Sequence, residues 1–374
     1  MATHAVPPRK FRAATIGHTG KGNYGHELDL IFNGRANVEI VAIADPDPDG
    51  RSKAAQRTKA LRHYSDYHEM LQREKPQLVC IAPRWTDEHH AMAKAALALG
   101  AHIFSEKPFT QTLAEADELL ALAKRRGLKI AVAHQMRSSP NIVYLKQQLD
   151  AGLIGDLLVI RAHGKQDRRA GGEDLVVLGV HLFDLMRLFA GDPLWCAARI
   201  LQNDRDITLA DARPATEGIG PVAGDSIFAQ FAFPGGVNAT FQSRASYAQT
   251  AGPWGMDLIG SKGVVRVKAD IWPEVLIRQT SRSTATSLAT DWRPLDGDPT
   301  ARLTPAEKTT ASANARLVDD WLAAIAEDRE PLCSGFNGMK AAEMALAVFE
   351  AGLRRTRVSL PLASRSHPLR RETH

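Results

Sequence analysis

The stretch Ile16-Gly17-His18-Thr19-Gly20-Lys21-Gly22-Asn23-Tyr24-Gly25 decides the fold, because it joins the first apolar strand to a helix-like segment. Gly20, Gly22 and Gly25 fit the pattern G-x-G-x-x-G, although the match begins after the strand end at Gly17. Either the loop is long or Gly17 acts as the first glycine. Such a turn lets backbone N–H groups approach a pyrophosphate. It predicts a dinucleotide site, with contacts from Gly17, Gly20, Gly22, Asn23 and Tyr24.

Strand and helix patterns alternate around this turn over the first 135 residues. Apolar strands are predicted over 13–16, 38–44, 78–82, 102–104 and 129–133. Helices are predicted over 26–32, 88–99 and 112–126, the last with a capping box at Thr112 and Glu115. Short apolar strands that alternate with helices indicate a parallel sheet covered on both faces. We therefore expect an α/β chain whose residues 1–138 form a Rossmann domain.

The alternation of strand and helix patterns ends after Pro140. Helices are predicted over 141–150 and 175–189, and strands over 157–163, 226–233, 237–243, 256–259 and 264–267. These strands predict one large, mostly antiparallel open sheet in an α/β domain over 139–374. Residues 280–312 read as irregular, and helices over 314–327 and 338–354 close the chain. The last helix is expected to pack back on the first domain.

Composition excludes several classes of protein. The chain has 374 residues, 44% hydrophobic and 24% charged, with a net charge of +5. No basic block with interleaved aromatic residues suggests nucleic acid, and no apolar run is long enough to span a membrane. Three distant cysteines, Cys80, Cys196 and Cys333, fit a reducing compartment rather than a disulfide framework or a metal site. Without an apolar leader at the start, we expect a cytoplasmic protein.

Asp45 ends the second predicted strand, downstream of the glycine turn. A carboxylate there accepts hydrogen bonds from the adenosine ribose and repels a 2′-phosphate, so the sequence favours NAD over NADP. Arg51 lies close enough to leave that preference open. A solvated turn over 45–50 is the plainer alternative.

Glu106-Lys107-Pro108 follows the strand predicted over 102–104. An ammonium group at the carboxyl end of such a strand can hold a substrate oxygen and stabilise charge as a hydroxyl loses its proton. With the other motifs, the chain resembles the Gfo/Idh/MocA family of nicotinamide-dependent sugar and polyol oxidoreductases. The further motifs that carry the resemblance are Ala82-Pro83 with His89, Arg137 with Pro140, Gly152-x-x-Gly155 and Gly179-x-His181.

The resemblance implies a Rossmann domain followed by an α/β domain whose open sheet often forms a dimer interface, hence a homodimer or homotetramer. It implies that Lys107 contacts both substrate and cofactor, and that the peptide before Pro108 is often cis. We also assign cofactor contacts to Pro83, Glu106 and Gln135. Gln135 follows a parallel strand, where ligands of open α/β sheets bind.

The chain departs from the family at Val177, where relatives carry an aspartate four residues before His181. Asp174 lies two helical turns before His181 and is predicted to replace it. Capping of a helix by Asp174 is an equal alternative. We expect the neutral imidazole of His181 to accept the hydroxyl proton, with Asp184 orienting it.

The polar loop 164–174 precedes that helix. Lys165, Arg168, Arg169 and Glu173 are predicted to bind an anionic or heavily hydroxylated sugar, although a solvated loop has a similar composition. The first functional hypothesis is an NAD-dependent oxidoreductase acting on a carbohydrate hydroxyl. The alternative is a redox-neutral glycosidase or lyase that oxidises C3 transiently and then eliminates. A non-catalytic nucleotide sensor is disfavoured by Lys107 and His181.

Overall fold

The computed structural model describes residues 10–245, 254–279 and 292–370. The first domain holds a six-stranded sheet whose strands are all parallel, which confirms the predicted parallel sheet, although the sequence predicts only five strands and not the third; in space the strands follow the order third, second, first, fourth, fifth, sixth. Its strands are β1 Phe11–Ile16, β2 Val38–Ala44, β3 Arg62–Tyr64, β4 Leu78–Ile81, β5 His102–Ser105 and β6 Ile130–Val132. Its helices are α1 Pro48–Thr58, α2 Tyr67–Glu74, α3 His89–Ala98 and α4 Leu113–Arg126. The carboxyl ends of β1, β4 and β5 therefore meet at one edge, where the glycine turn and Lys107 lie.

The helix predicted over 26–32 is wrong. His26 and Glu27 both take left-handed backbone angles, with φ of 45° and 58°, and only the short 3-10 helix Leu28–Leu30 follows. Two successive left-handed residues cannot continue a right-handed helix. The amide Nδ2 of Asn314 donates to the carbonyl of His26 at 2.7 Å, so a later part of the chain engages that carbonyl.

The second domain holds a ten-stranded sheet in the order β17-β16-β15-β14-β7-β13-β12-β8-β18, with β9 paired to β8. All its pairs are antiparallel except β7 with β13. The main strands are β7 Leu157–His163, β8 Trp195–Gln202, β12 Ser226–Ala232, β13 Asn238–Arg244, β14 Gly255–Gly260, β15 Gly263–Lys268 and β16 Glu274–Gln279. The short ones are β9 Arg205–Asp206, β10 Arg213–Pro214, β11 Pro221–Val222, β17 Arg293–Pro294 and β18 Val358–Ser359, of which β10 and β11 form a separate pair. This agrees with the large, mostly antiparallel sheet expected from the sequence.

The helices of the second half are α5 Pro140–Asp150, α6 Gly172–Val177, α7 Gly179–Ala190, α8 Thr310–Ala326 and α9 Gly335–Arg354. The single helix predicted over 175–189 is thus two helices that meet at Leu178, where φ is −116°. Asp174 and His181 therefore do not share one helix face. The prediction that the two side chains are stacked two turns apart fails for this reason.

The last two helices join the sheets. Trp321 of α8 is fully buried against Phe32 and Phe104 of the first domain, with ring centroids 6.5 and 5.7 Å apart. Helix α9 contacts α4 and β6 on one side and α7 and β8 on the other. Of the segment predicted as irregular over 280–312, residues 280–291 lie outside the described residues. Among the described helices, none is long and apolar enough to cross a membrane.

Candidate active site

The glycine turn is shaped by close approaches. Gly20 and Gly22 have φ of 93° and 81°, which L side chains rarely adopt. A Cβ on Gly22 would lie 2.8 Å from the backbone nitrogen of Arg84, and one on Gly25 would lie 2.6 Å from Oε1 of Glu106. Asn23 stabilises the turn, since its Oδ1 accepts from the N–H of Gly20 at 3.1 Å. The glycines thus bring the turn directly against the ends of β4 and β5.

Tyr24 packs behind the turn. Its buried ring occupies the space that a Cβ on Gly17 would need, and the guanidinium of Arg57 lies 5.2 Å from the ring centroid. Burial, with the nearby carboxylate of Asp45, raises the pKa of the phenol. The ring of Tyr24 therefore packs beneath Gly17, and its contact with the cofactor stays a prediction.

Asp45 lies at the carboxyl end of β2 and lines a cavity of about 240 Å³ together with Gly17. Its carboxylate accepts from the backbone N–H of Thr19 at 3.1 Å, from Thr19 Oγ1 at 2.8 Å and from the N–H of Asp47 at 3.0 Å. The N–H of Thr19 also reaches the second oxygen at 3.2 Å, so four hydrogen bonds already end on this carboxylate, which is 0% exposed. Arg51 donates to the carbonyl of Asp45 at 2.6 Å and is thereby engaged with the backbone. The contact of Asp45 with the adenosine ribose of NAD stays a prediction.

Glu106 and Lys107 follow β5, and the peptide between Lys107 and Pro108 is cis. Glu106 is 0% exposed and accepts from its neighbour's backbone N–H at 2.6 Å, while Nδ1 of His26 forms a short ion pair with it. Burial opposes ionisation of Glu106, but His26 and Lys107 outweigh it and lower its pKa to about 2. The carboxylate is therefore charged throughout the physiological range.

The Lys107 side chain is 4% exposed, and its Nζ donates to the carbonyl of Val177 at 3.3 Å. That carbonyl lies at the end of α6, where backbone acceptors lack partners within the helix. Burial lowers the pKa of Lys107, Glu106 and Glu217 oppose that effect, and Arg84 and Arg169 add to it. At the position where the resemblance leads us to expect an aspartate, this chain thus offers a neutral carbonyl acceptor to Lys107.

His181 comes from the first turns of α7 and is 8% exposed. Its ring lies edge-on to those of His134 and Trp254, with centroids 5.3 and 5.9 Å apart. Its Nδ1 has no hydrogen-bond partner among the described residues. Burial, and then the positive charge of Lys107, lower the pKa of His181 well below its usual value. The imidazole is therefore neutral and is held by packing.

Asp184 does not orient His181. Its carboxylate accepts from Nε of the buried Arg137 at 2.8 and 2.9 Å, and its carbonyl accepts from the same guanidinium at 3.0 Å. The pair fastens the segment after β6 to α7. Beside it, Nε2 of Gln135 donates to Oδ1 of Asn314 at 3.1 Å, which holds Gln135 at the cavity wall.

The carboxylates of the loop face away from the cavity. Asp174 accepts from the N–H groups of Lys165 and Gln166 at 3.2 and 3.0 Å and from Ser243 Oγ at 2.6 Å. Burial raises the pKa of Asp174. Glu173 accepts from the backbone N–H and the hydroxyl of Thr216. Both carboxylates are used to hold loops, so the predicted catalytic role of Asp174 and the substrate contact of Glu173 find no support in this geometry.

Two basic residues of the same loop do reach the cavity. Lys165 and Arg169 line it, whereas Arg168 is exposed and does not. Arg169 donates to Asp167 from Nε at 3.1 Å and from a terminal nitrogen at 2.7 Å, which aims the remaining nitrogen toward Glu217 at 3.6 Å. Of the two arginines that the sequence predicts as substrate-binding in this loop, Arg169 therefore lines the cavity and Arg168 does not.

The cavity has a volume of about 270 Å³ and lies between the two sheets. Besides the residues above and the apolar Met136 and Ile271, it is lined by four polar or aromatic residues that the sequence does not assign to the substrate site, namely His26, Arg84, Trp254 and Asp270. They come from four separate loops, and only the position of His26 beside the glycine turn gave any signal. Pro83 lies next to the site, where its carbonyl is 2.7 Å from Nε2 of His89. Trp85, after it, packs on Gly218.

A Rossmann sheet with a glycine turn, an acidic residue at the end of β2 and a lysine in the interdomain cavity defines the class of two-domain, dinucleotide-dependent oxidoreductases. Residues 11–134 match the family model GFO_IDH_MocA, described as an oxidoreductase family with an NAD-binding Rossmann fold. Residues 146–360 match the C-terminal alpha/beta domain of the same family. The chain belongs to this family, and its cofactor is NAD.

Named relatives are sugar and polyol dehydrogenases. The chain is 26% identical to D-apiose dehydrogenase of Paraburkholderia graminis over 354 residues, which cover 92% of this chain and 87% of that protein. It is 30% identical to inositol 2-dehydrogenase of Salmonella typhimurium over 154 residues, or 40% and 44% of the two chains. Levoglucosan dehydrogenase, solved with NADH and levoglucosan, shares the fold with a TM-score of 0.73 at 20% identity, over 94% and 100% of the two chains.

Proposed function

We propose that the protein oxidises a hydroxyl group of a sugar or sugar derivative with NAD as hydride acceptor. The observation that carries the proposal is the buried ammonium of Lys107 in the cavity that His181 also lines, at the edge of the sheet where the glycine turn lies. A cation in such a position stabilises the negative charge that develops on the oxygen of an alcohol as it loses its proton.

In this proposal Lys107 and His181 contact the reacting hydroxyl. Lys107 has three N–H groups, of which one is donated to Val177, so two remain for a substrate oxygen. His181 is held neutral and packed between His134 and Trp254, which fixes the plane of its ring. NAD, when bound, supplies the acceptor for the hydride from the carbinol carbon.

The substrate that suits the cavity is a small carbohydrate. Its volume of about 270 Å³ is of monosaccharide scale, and its walls carry Lys165, Arg169 and Asp270 as hydrogen-bonding groups. Several convergent polar groups around a small cavity match the many hydroxyl groups of a sugar or sugar acid. Lys165 and Arg169 are the substrate-binding residues that we propose.

The redox-neutral glycosidase or lyase is not favoured. The named relatives described above are dehydrogenases, and both carboxylates that kept this alternative open, Glu173 and Asp174, are bonded into loops. The expected homodimer or homotetramer and the expected cytoplasmic location stay predictions.

The test is reduced-nicotinamide absorbance with purified protein, NAD and a panel of pentoses, hexoses, inositols, anhydrosugars and sugar acids. Release of aglycone from aryl glycosides is followed in parallel. Stoichiometric formation of NADH on one class of free sugar is the expected result. Aglycone release that depends on NAD without accumulation of NADH would contradict the proposal and support the redox-neutral reaction.

A further inference from the structure

We propose that His26, oriented by Glu106, is the group that accepts the substrate hydroxyl proton in this chain. The inference rests on the proposed function and adds a catalytic residue to it. His26 belongs to the glycine turn, yet its side chain lines the same cavity as Lys107 and His181.

The imidazole of His26 is paired with the carboxylate of Glu106. Nδ1 of His26 forms a short hydrogen bond with Oε1 of Glu106, a carboxylate that is fully buried. Because Glu106 is ionised, it can only accept, so Nδ1 must carry a proton. In a neutral imidazole the other nitrogen, Nε2, is then a bare acceptor. A carboxylate that fixes the tautomer and stabilises the imidazolium is the arrangement that a histidine base needs.

The surroundings of the His181 imidazole differ from those of His26. When a base takes up a proton, it becomes positively charged, and its surroundings must tolerate that charge. His181 lies beside the cation of Lys107, its Nδ1 has no partner among the described residues, and burial lowers its pKa well below the usual value. His26 is 30% exposed by side chain and pairs with an anion. Of the two imidazoles that line the cavity, His26 is the one in direct contact with a carboxylate.

The position of His26 is fixed by contacts with later parts of the chain. The backbone of His26 is held by Nδ2 of Asn314 on α8, whose Oδ1 in turn accepts from Gln135. Glu106 contacts the ring, and the other charged groups that line the cavity are Lys107, Arg84, Lys165, Arg169 and Asp270, together with the neutral His181. From α8 the neighbour Asn314 is neutral. Glu106 is the anion in direct contact with the ring.

Oxidation of the alcohol removes one proton and one hydride from the substrate. The O–H bond of the substrate breaks and its proton passes to Nε2 of His26, while Lys107 donates to the oxygen. The C–H bond of the carbinol carbon breaks, and NAD, when bound, would accept the hydride. The alcohol thereby becomes a carbonyl. In the reverse direction the imidazolium of His26 returns the proton.

The first test is the turnover of His26→Gln. We expect kcat to fall about 10²–10⁴-fold with the KM for NAD changed by less than about threefold. We also expect the residual rate to rise about tenfold per pH unit, because hydroxide then replaces the base. A fall in kcat of less than about tenfold, or a residual rate independent of pH, would overturn the proposal. The matched control is His90→Gln, a surface histidine whose Nε2 lies 2.8 Å from Glu118, and it should leave kcat unchanged.

The second test needs neither a variant nor turnover. Nitrogen-15 NMR of histidine-labelled wild-type protein at about pH 9 reports which ring nitrogen bears the proton. A protonated Nδ1 and bare Nε2 at His26 are expected, and a proton on Nε2 would overturn the assignment. This readout stays decisive when His26→Gln does not fold. Wild-type protein that makes no NADH with any sugar would refute the proposed function, whereas the tautomer would still decide the role of His26.

Discussion

The Nζ of Lys107 donates a hydrogen bond of 3.3 Å to the carbonyl of Val177, the residue at which the family resemblance leads us to expect an aspartate. Lys107 therefore has a hydrogen-bond partner at residue 177, but this partner is the dipole of a backbone carbonyl and not the charge of a carboxylate. A neutral partner stabilises the ammonium less than a carboxylate would, and burial lowers the pKa of Lys107. The chain thus retains the lysine of the family while assigning a different electrostatic environment to it.

Replacing Lys107 tests the oxyanion role directly. Lys107→Met removes the cation that stabilises the developing alkoxide, so kcat should fall about 10²–10³-fold. Binding of NAD, measured by fluorescence titration, should change less than about threefold. Lys94→Met is the control, because Lys94 pairs with Glu118 on the surface of α3. A Lys107→Met enzyme with normal kcat would remove the lysine from the mechanism.

Asp45 is expected to set the choice of cofactor. Asp45→Ser removes the acceptor for the ribose and the repulsion of a 2′-phosphate, so kcat/KM for NAD should fall about 10–100-fold while that for NADP rises. Steady-state kinetics with both cofactors measure the ratio. Asp49→Ala, on the exposed first turn of α1, should leave the ratio unchanged. An unchanged ratio in Asp45→Ser would show that another group reads the ribose.

Asp174 is expected to act through loop position. Asp174→Asn weakens the hydrogen bonds from Lys165 and Gln166 and so displaces the wall that Lys165 forms. The KM for the sugar should rise about 10-fold while kcat stays within about threefold, since each bond to a charged acceptor contributes about 1.5–3 kcal/mol. A loss of kcat above about 100-fold at constant KM would instead restore the acid/base role that we predicted from the sequence.

The buried pair of Arg137 and Asp184 is expected to matter for stability. Asp184→Ala leaves a guanidinium buried without a counterion, which should lower the free energy of unfolding by about 3–5 kcal/mol in urea denaturation. Arg137→Met combined with Asp184→Leu should cost less than the single change. The comparison variant is Asp257→Ala, which breaks the partly exposed pair with Arg266 and should cost about 0–1 kcal/mol. Equal losses in Asp184→Ala and Asp257→Ala would contradict this prediction.

His367 is expected to make stability depend on pH. Burial, and to a smaller extent Arg370, lower its pKa to about 3, and its Nδ1 accepts from the N–H of Leu369 at 3.2 Å. The unfolded state therefore binds a proton first as the pH falls. From about pH 6.5 down to about pH 3, this group should remove about 1.4 kcal/mol of stability per pH unit. Unfolding curves of wild type and His367→Gln should diverge over that range, and parallel curves would refute the prediction.

The sheets could be predicted from the sequence because local patterns determine them. The strand predicted over 157–163 is β7 itself, and the capping box of Thr112 and Glu115 begins α4 as expected. Apolar runs of four to seven residues and local caps need no knowledge of distant contacts. The same patterns placed Lys107 at the end of β5 and Lys165 in the loop after β7.

The errors arise where distant residues decide. The helix expected over 26–32 is prevented by left-handed angles at His26 and Glu27 and by the bond from Asn314. The break at Leu178 separates Asp174 from His181. The periodicity of the sequence gives no sign of this break. Arg84 and Asp270 reach the cavity from loops far apart in sequence. Only the folded chain brings such side chains together.

The contact between His26 and Asn314 also bears on the order of synthesis. The two residues are 288 positions apart, so the turn that carries His26 leaves the ribosome long before its partner on α8. The first sheet can form earlier, because its six strands end at Val132. The strands of the first sheet are thus synthesised early, but Trp321 of α8, buried against Phe32 and Phe104, completes their core only when the residue that holds His26 is also present.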